Sequence, residues 1–383
     1  MHLNNIKWVL RMKLELKTRT DVEDLSTGCT FFGTGGGGSK EIGLRMLYPH
    51  VDEGRVITII DVSDVKDNDW IACPYYSGTI APPTPEIESA RSRFPWDYYE
   101  KELVTGLQML EDHLNIKFSA VAPFELGGVN TPAPIDAALK HGIPCVDGDY
   151  SGRAVPEICQ NTVCVKNFSM APLALVDWFG NKTLVKEIIN YEMGERISKA
   201  VSEVAWGRVG NVAFPVKGQE FHKVIIPGTL SLSHNVGRTI RECRESGDDP
   251  AEKIVEKYGG WVLFKGKVVE KTWENREGYM WGETSIKGSG IKPGSTLKVW
   301  FKNENHMTWL DNKPWIMSPD IIEIINQKTG EPITNTDIKS GDSVSVIGMK
   351  AAHDIFREPA GLDVLGPKHF GFDVQYTPIE KAV

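Results

Sequence analysis

The sequence contains few cysteines, and no two of them are spaced as a metal or redox pair would be. The 383-residue chain has six cysteines, none with C-x-x-C spacing to another. Disulfide frameworks are typical of small oxidised domains, whereas a chain of this length can bury a large apolar core without them. We therefore expect reduced cysteines that are mostly buried.

Long apolar runs and basic stripes are also missing. The first 20 residues include apolar side chains but no continuous apolar stretch, and the net charge is −8 with both signs interspersed. These features argue against a secretory signal, a membrane span and a nucleic-acid partner. We expect a cytoplasmic protein that acts on a small molecule and contacts no membrane. The oligomeric state is left open, a homo-oligomer included.

The apolar pattern divides the chain into two halves. In the first half, "RVITIIDV" (55–62) has the composition of a buried strand, and residues 98–114 and "TPAPIDAALKHG" have helical spacing, the latter closed by Gly142. We also assign the short apolar run "CTFF" before the glycines to a strand. Alternation of strands with helices predicts an α/β domain.

The second half has a different texture. Helical patterns over 184–210 are followed, beyond about residue 220, by short β-rich runs such as "KVIIPGTLSLS", with one helix at about 237–246. We predict a two-domain α+β protein with an α/β N-terminal domain and a mostly-β C-terminal domain. The predicted division is a lead-in over 1–20, the α/β domain over 21–188, and a helical connection with the β-rich domain over 189–383.

The densest motif is the glycine loop "FFGTGGGGSK" (31–40). It satisfies G-x-G-x-x-G from Gly33 onward, and the strand "RVITII" ends in Asp61, where an acid that binds a ribose would stand. Any run of glycines fits that pattern, however. The P-loop pattern fails because Ser39 precedes Lys40. We favour no nucleotide, and interpret Gly35, Gly36, Gly37 and Gly38 as an anion cradle of backbone N–H groups at a helix start.

Polar residues follow two further strands. "FELGGVN" places Glu125 and Asn130 after one strand, and "DGDYSGRAVPE" places Asp147, Asp149, Arg153 and Glu157 after the next. Sites in α/β domains gather at such strand ends. The second loop resembles a calcium loop at its start but lacks glutamate at its twelfth position. We expect a carboxylate cluster for acid–base or metal chemistry, with bracing of the loops as the structural alternative.

Taken in order, these motifs resemble one family, the S-methyl thiohydantoin desulfurase-like family, which is associated with hydantoinases. The similarity is carried by "FFGTGGGGS", by "FELGGVNTPAPIDAALKHGIPCVDGDYSGRAVPE", by "PGTLSLSHNVGRTI" and by C-terminal segments including "NENH", over about residues 22–380. The chain departs from the family pattern at Ser39-Lys40, where Asp-Pro is usual, and at His234, where alanine is common. The resemblance implies a two-domain fold and chemistry on hydantoin or thiohydantoin rings.

The function that this resemblance implies is hydrolytic desulfurisation, in which a ring thiocarbonyl becomes a carbonyl and sulfide is released. Lys40 would then bind an acidic substituent, such as the propionate arm of a thiohydantoin from ergothioneine breakdown. A divalent metal is left open, with zinc favoured because the substrate carries sulfur. The expected catalytic residues are Asp147, Asp149, Glu125 and Glu157. The expected substrate-binding residues are Gly35 to Gly38, Lys40, Asn130, Arg153 and Arg238. The expected metal ligands are Asp149, His234 and Cys73.

Two other classes of function stay open. One is a nucleotide-dependent enzyme that uses Gly33 to Gly38 with Asp61. The other is a ring-processing subunit of a hydantoinase or oxoprolinase complex.

Overall fold

The computed structural model describes residues 13–78, 83–93 and 101–383. Two sheets organise them, and helices cover the first. The α-helices are α1 (Arg19–Phe32), α2 (Lys40–Asp52), α3 (Pro85–Arg91), α4 (Glu102–Leu114), α5 (Pro132–His141), α6 (Thr162–Val165), α7 (Tyr191–Val204), α8 (Gly218–Val224), α9 (Thr229–Ser246), α10 (Pro250–Tyr258), α11 (Pro359–Leu365) and α12 (Ile379–Ala382). Two 3-10 turns span Val62–Asp64 and Asp354–Arg357.

The first sheet is mixed. Its strands are β1 (Leu14–Leu16), β2 (Ile57–Ile60), β3 (Trp70–Ser77), β4 (Ala120–Val121), β5 (Cys145–Val146), β7 (Leu173–Asp177), β8 (Lys182–Val185) and β9 (Val209–Lys217), in the order β1-β2-β5-β4-β3-β9-β7-β8. The central strands β2, β5, β4 and β3 run parallel, and the remaining pairs are antiparallel. A separate two-stranded ribbon joins β6 (Gly148–Asp149) to β10 (Ile226–Pro227).

The second sheet is antiparallel throughout. Its strands are β11 (Trp261–Arg276), β12 (Tyr279–Gly288), β13 (Thr296–Lys302), β14 (Glu304–Leu310), β15 (Lys313–Met317), β16 (Ile321–Asn326) and β17 (Ser343–Met349), in the order β15-β14-β13-β12-β11-β17-β16. The two-domain α+β class is therefore confirmed: a mixed α/β half precedes a mostly-β half.

Helices α1 and α9 pack closely on one face of the first sheet. A Cβ atom added at Gly28 would lie 1.7 Å from the Ser233 carbonyl oxygen, and one added at Gly237 would lie 1.8 Å from the Asp24 carbonyl oxygen. Only glycine permits this close approach of the two helices. The ion pair in which Arg241 of α9 binds both carboxylate oxygens of Asp24 in α1 also joins them. The pairing places the glycine loop, which leaves the end of α1, against the second sheet.

Several predicted elements are confirmed. "RVITII" forms β2, and "TPAPIDAALKHG" forms α5, which ends at Gly142 in the left-handed conformation with φ +83°. The helix predicted over 98–114 is present as α4, and its positions 98–100 lie outside the described residues. All six cysteines are free, and five of them are buried.

Two predictions about elements are wrong. "CTFF" is the end of α1, because its capping box of Thr18 and Asp21 starts a continuous helix that runs into the glycines. "GTLSLS" is the beginning of α9 rather than a strand. Within the predicted lead-in, β1 pairs with β2 and α1 begins at Arg19. The β-rich half also contains α8 and α10, which the pattern did not predict. Among the described residues, no helix combines the length and apolar character needed to cross a membrane.

Candidate functional site

A cavity of about 350 Å³ lies where loops of the first sheet meet the second sheet. Its wall combines aromatic and aliphatic side chains with a few charged groups, as ligand sites in proteins commonly do. The lining residues are Gly35, Gly36, Gly37, Gly38, Ser39, Ile42, Tyr75, Tyr76, Ser77, Gly78, Phe124, Glu125, Val129, Asn130, Val155, Pro156, Glu157, Ile158, Glu195, Lys199, Arg208, Tyr279, Asn303, Glu304, Thr334 and Thr336.

The glycine loop forms one side of this cavity and is held from two directions. Val129 N–H donates to the Gly37 carbonyl at 2.9 Å on the side of the first sheet, and Asn305 N–H donates to the Thr34 carbonyl at 2.7 Å on the side of the second. A Cβ at Gly37 would lie 2.6 Å from the Gly127 Cα atom. The glycines are therefore required for two loops to pass in direct contact.

The backbone donors of this loop are partly engaged within the protein. Gly36 N–H donates to the Gly33 carbonyl at 2.8 Å, and the Gly37 backbone favours the ionised form of the Glu304 carboxyl group. A side chain at Gly36 would place its Cβ 1.8 Å from Glu304 Oε1. The cradle predicted from the glycines thus holds an acid of the protein itself. The role of Gly35 to Gly38 in binding a substrate anion stays a prediction.

Glu125 lies at the bottom of the cavity wall, after β4. Its Oε1 atom accepts from Asn130 Nδ2 at 2.7 Å and its Oε2 atom accepts from Val155 N–H at 2.7 Å. Burial raises the pKa of Glu125 to about 7 despite these two hydrogen bonds, which favour the ionised form. Asn130 in turn holds both backbone polar groups of Tyr76, at 2.9 and 3.2 Å. Glu125 and Asn130 are therefore brought together as their shared loop predicted.

Glu304 is the second carboxyl group of this wall, and it was not among the functional residues predicted from the sequence. It is 2% exposed, at the start of β14. Burial raises its pKa well above the ordinary glutamate value, and the nearby charge of Glu125 adds to the effect. Its Oε2 atom has no hydrogen-bond partner among the described residues. The only sequence signal for Glu304 was its place in the segment "NENH", because nothing local indicates that this segment reaches the glycine loop.

A cationic and aromatic group forms another part of the wall. Lys199 of α7 lies 3.1 Å from Glu195, whose carboxylate also accepts from the Tyr279 hydroxyl. Burial lowers the pKa of Lys199 to about 8. Arg208 stacks on the Tyr76 ring at 4.3 Å and is 3.1 Å from Glu102. None of these residues was predicted.

Glu157 also faces the cavity but is heavily paired. Lys302 Nζ contacts its Oε1 atom, and His369 Nε2 is 2.9 Å from its Oε2 atom. Burial alone would raise the pKa of Glu157, but the hydrogen bond to His369 and the charge of Lys302 outweigh it and hold the pKa at about 2. Glu157 is therefore an ionised carboxylate at neutral pH.

Asp147 and Asp149 do not line the cavity. Asp147 accepts from the Leu230 and Ser231 N–H groups at 3.1 and 2.9 Å, and so caps α9 from a distant loop. Asp149 accepts from Ser151 and Gly152 N–H at 2.9 and 2.7 Å and is fully buried. Burial raises the pKa of Asp149 to about 7.

Three predicted substrate-binding cations also lie elsewhere. Arg153 is buried and donates to the Thr34 hydroxyl and to the Asn305 carbonyl, both at 2.9 Å, so it joins the glycine loop to the second sheet. Lys40 pairs with Glu331. Arg238 is on the exposed face of α9 and pairs with Glu242 at 2.9 Å.

The predicted metal ligands are not brought together. Cys73 lies inside β3, where burial raises its pKa well above the ordinary thiol value, and His234 lies on α9, where burial lowers its pKa. Among the described residues, the group of side chains with suitably close ligand atoms is Glu157, Cys159 and His369. The expectation of a metal stays untested.

The structural context does not favour a dinucleotide fingerprint. The glycines follow a helix, whereas that fingerprint requires a strand, a tight turn and a helix. Asp61 caps the turn at Val62–Asp64 through a bond from Ser63 N–H of 2.8 Å.

Comparison with known proteins gives two matching family models. The model described as the S-Me-THD-like N-terminal domain matches residues 20–187, and the one described as the S-Me-THD-like C-terminal domain matches residues 189–379. A crystal structure of a protein from Chromobacterium violaceum is similar with a TM-score of 0.76 and 20% identity, covering 96% of this chain and 100% of that one. At this identity the likeness shows the fold alone. No curated protein matches the chain.

Proposed function

The chain belongs to the S-Me-THD-like family, that is, the S-methyl thiohydantoin desulfurase-like family, and from this premise we propose that it is a hydrolytic desulfurase. It converts the thiocarbonyl of a thiohydantoin-type ring to a carbonyl and releases sulfide. The observation that carries the proposal is the pair of buried carboxyl groups, Glu125 and Glu304, on one wall of the cavity. Two acids with raised pKa values in one site are suited to acid–base catalysis.

In the first step, Glu125 acts as the general base. Its pKa of about 7 leaves a substantial ionised fraction at neutral pH, and the same value makes it an effective proton acceptor. It takes a proton from water as the water oxygen bonds to the thiocarbonyl carbon. The electron pair of the C=S bond moves to sulfur. Asn130 fixes the carboxylate for this task through its 2.7 Å hydrogen bond.

Glu304 acts as the general acid. Its raised pKa keeps it protonated, so it can donate to the sulfur that gains the electron pair. In the second step the new hydroxyl group returns a proton to Glu304 as the C–S bond breaks and the carbonyl forms. The proton held by Glu125 leaves with the hydrosulfide. The sum is one water consumed and one hydrogen sulfide released, with both carboxyl groups restored.

The rest of the cavity wall suits a small ring that carries an acidic arm. Tyr75, Phe124 and Tyr279 offer flat apolar faces, and Lys199 and Arg208 offer positive charge within the same cavity. Arginine in particular binds carboxylates through two parallel hydrogen bonds. These two residues, rather than Lys40, would receive a propionate-type substituent.

The test is sulfide release by the purified chain from 2-thiohydantoins with and without an acidic arm, followed together with loss of the thiocarbonyl absorbance. Sulfide from the acidic compounds supports the proposal. Glu41→Gln, which alters an exposed carboxylate on α2, is the control that should retain full activity. If no compound yields sulfide, the proposal is wrong. The remaining candidate is then a ring-processing subunit, which would be active only with a hydantoinase-type partner.

A further inference from the structure

Three side chains with metal-binding atoms meet at the edge of the cavity. Glu157, Cys159 and His369 each offer one ligand atom, and these atoms lie within 4.8 Å of one another. His369 Nε2 is 2.9 Å from Glu157 Oε2, and Cys159 Sγ is 3.7 Å from the same oxygen. The three atoms are close enough to reach one ion after small side-chain movements, since zinc holds nitrogen and oxygen at about 2.0–2.2 Å and sulfur at about 2.3 Å.

The histidine is oriented as metal-bound histidines are. Its Nδ1 atom is 3.2 Å from the Asp363 carbonyl oxygen, which can only accept a hydrogen bond. Nδ1 therefore carries a proton, and Nε2 is the atom that faces Glu157. Metal-bound histidines usually donate their other ring N–H to a backbone carbonyl or a carboxylate, as Nδ1 does here.

The carboxylate is oriented as well. Lys302 Nζ holds Glu157 Oε1, which leaves Oε2 directed to the histidine and the thiol. Gln160 Oε1 accepts from the Glu157 backbone N–H at 2.9 Å and fixes the main chain at this turn. Glu157 Oε2, which both other ligand atoms approach, is thus held in place by the contacts that Lys302 and Gln160 make with the rest of the residue.

The thiol differs from the other cysteines of the chain. Cys159 is partly exposed, whereas the remaining five are buried. Buried cysteines serve as small apolar side chains, and access from solvent is a requirement for binding an ion.

We propose that Glu157, Cys159 and His369 bind a thiophilic divalent cation, with zinc the best fit, at the edge of the cavity. One sulfur, one nitrogen and one oxygen ligand with a fourth position open to water or substrate is a ligand set of catalytic zinc sites. The thiolate argues against magnesium and calcium, which prefer oxygen ligands. Because the thiolate is the form of cysteine that binds the ion, binding releases the Cys159 thiol proton to solvent.

The first test uses the full-length chain stripped with a chelator and then titrated with Co²⁺ and with Zn²⁺. We expect one equivalent of either ion per chain, and a thiolate-to-cobalt charge-transfer absorption. Cys159→Ser should abolish that absorption, and His369→Asn should weaken zinc binding by about 10-fold or more. Cys243→Ser, a change at a buried thiol of α9, is the matched control and should leave both unchanged. Circular dichroism confirms that each variant is folded.

The second test needs no variant. One equivalent of Zn²⁺ should protect Cys159 of the native chain from alkylation by iodoacetamide, mapped by mass spectrometry. The site would be overturned if the ions did not bind stoichiometrically or if the charge-transfer band survived in Cys159→Ser. Alkylation of Cys159 at the same rate with and without zinc would overturn it as well. No substrate is used in either test, so the outcome is separate from that of the desulfurase assay.

Discussion

At the scale of single residues, the proposed recognition of an acidic arm falls to side chains that the sequence pattern did not indicate. Lys40 follows the glycines and was the natural candidate, yet it pairs with Glu331 outside the cavity. Lys199 and Arg208 stand on the wall instead, on α7 and just before β9. Their distance from the glycine motif along the chain is the reason that sequence reasoning did not find them.

Arg208→Gln should therefore raise KM for a thiohydantoin with a carboxylate arm by about 10-fold, because a hydrogen bond to a charged group contributes about 1.5–3 kcal/mol. KM for a ring without the arm should change little. Lys40→Gln should change neither value. Steady-state sulfide release measures KM for the two substrates. Arg208→Lys is a second variant, which keeps the positive charge beside Glu102. If Arg208→Gln or Arg208→Lys raised KM equally for both substrates, Arg208 would not be the residue that binds the arm.

Asp149 makes a prediction about stability rather than catalysis. Its folded-state pKa of about 7 lies above the unfolded value near 3.8, so its contribution to stability is fully present below pH 3.8 and is lost as pH rises through about 7. The native chain should lose up to about 4 kcal/mol of unfolding free energy over that window from this group. Asp149→Asn keeps an oxygen that accepts from Ser151 and Gly152 N–H, and it should lack this part of the pH dependence of the unfolding free energy. Urea unfolding of both proteins at pH 5 and at pH 8 measures that dependence. An equal change in unfolding free energy between the two pH values for both proteins would contradict the prediction.

At the scale of elements, the glycine loop is explained by contacts with two partners. Gly35, Gly37 and Gly38 have positive φ angles, as a tight turn requires. Gly36 has no positive φ angle, but a side chain at this position would collide with the carboxyl group of Glu304. The sequence alone showed that the loop was special, but not that the second sheet supplies an acid to it.

Gly36→Ala should therefore reduce kcat by displacing Glu304, since misplacement of a catalytic group by about 1 Å can cost about 10²-fold. KM should change less than kcat. Gly290→Ala is the control, because Gly290 also lacks a positive φ and a Cβ there would meet the Lys265 Cβ atom at 3.2 Å. A Gly36→Ala enzyme with unaltered kcat would mean that the position of Glu304 is unimportant.

The beginning of α9 shows why one helix was only half predicted. The residue before it, Gly228, provides no side-chain cap, and its backbone is left-handed. The cap comes from Asp147, more than 80 positions earlier, which accepts from two N–H groups of the first turn. Local start signals are the basis of a sequence-based boundary, so a cap from a distant loop was not predictable. The second half, from Gly237, has ordinary helical spacing and was predicted.

At the scale of the whole molecule, the two sheets depend on one another. Strand β9 comes from residues matched by the C-terminal domain model, yet it lies between β3 and β7 in the first sheet. The division of the chain into two halves was visible in the sequence as a change in composition. The position of β9 in the first sheet was not predictable, because its pairing is set by contacts distant in sequence.

A fragment of residues 1–187 should therefore fail to fold, since it lacks an internal strand and leaves β3 and β7 with unpaired edges. A fragment of residues 1–258 restores β9 and α9 and is the comparison. Circular dichroism and thermal unfolding distinguish the two fragments. A cooperative transition with native-like secondary structure in the shorter fragment would contradict the dependence.

The proposed hydrolysis of a thiohydantoin by Glu125 and Glu304 can be tested through the pH dependence of sulfide release. For the native chain, kcat/KM should rise as pH increases through about 7, where Glu125 loses its proton. Glu125→Gln should be slower by about 10²–10⁴-fold and should lack that rise. Glu304→Gln should also be slow but should retain it. A Glu125→Gln enzyme with the native rate and the native pH profile would contradict the account.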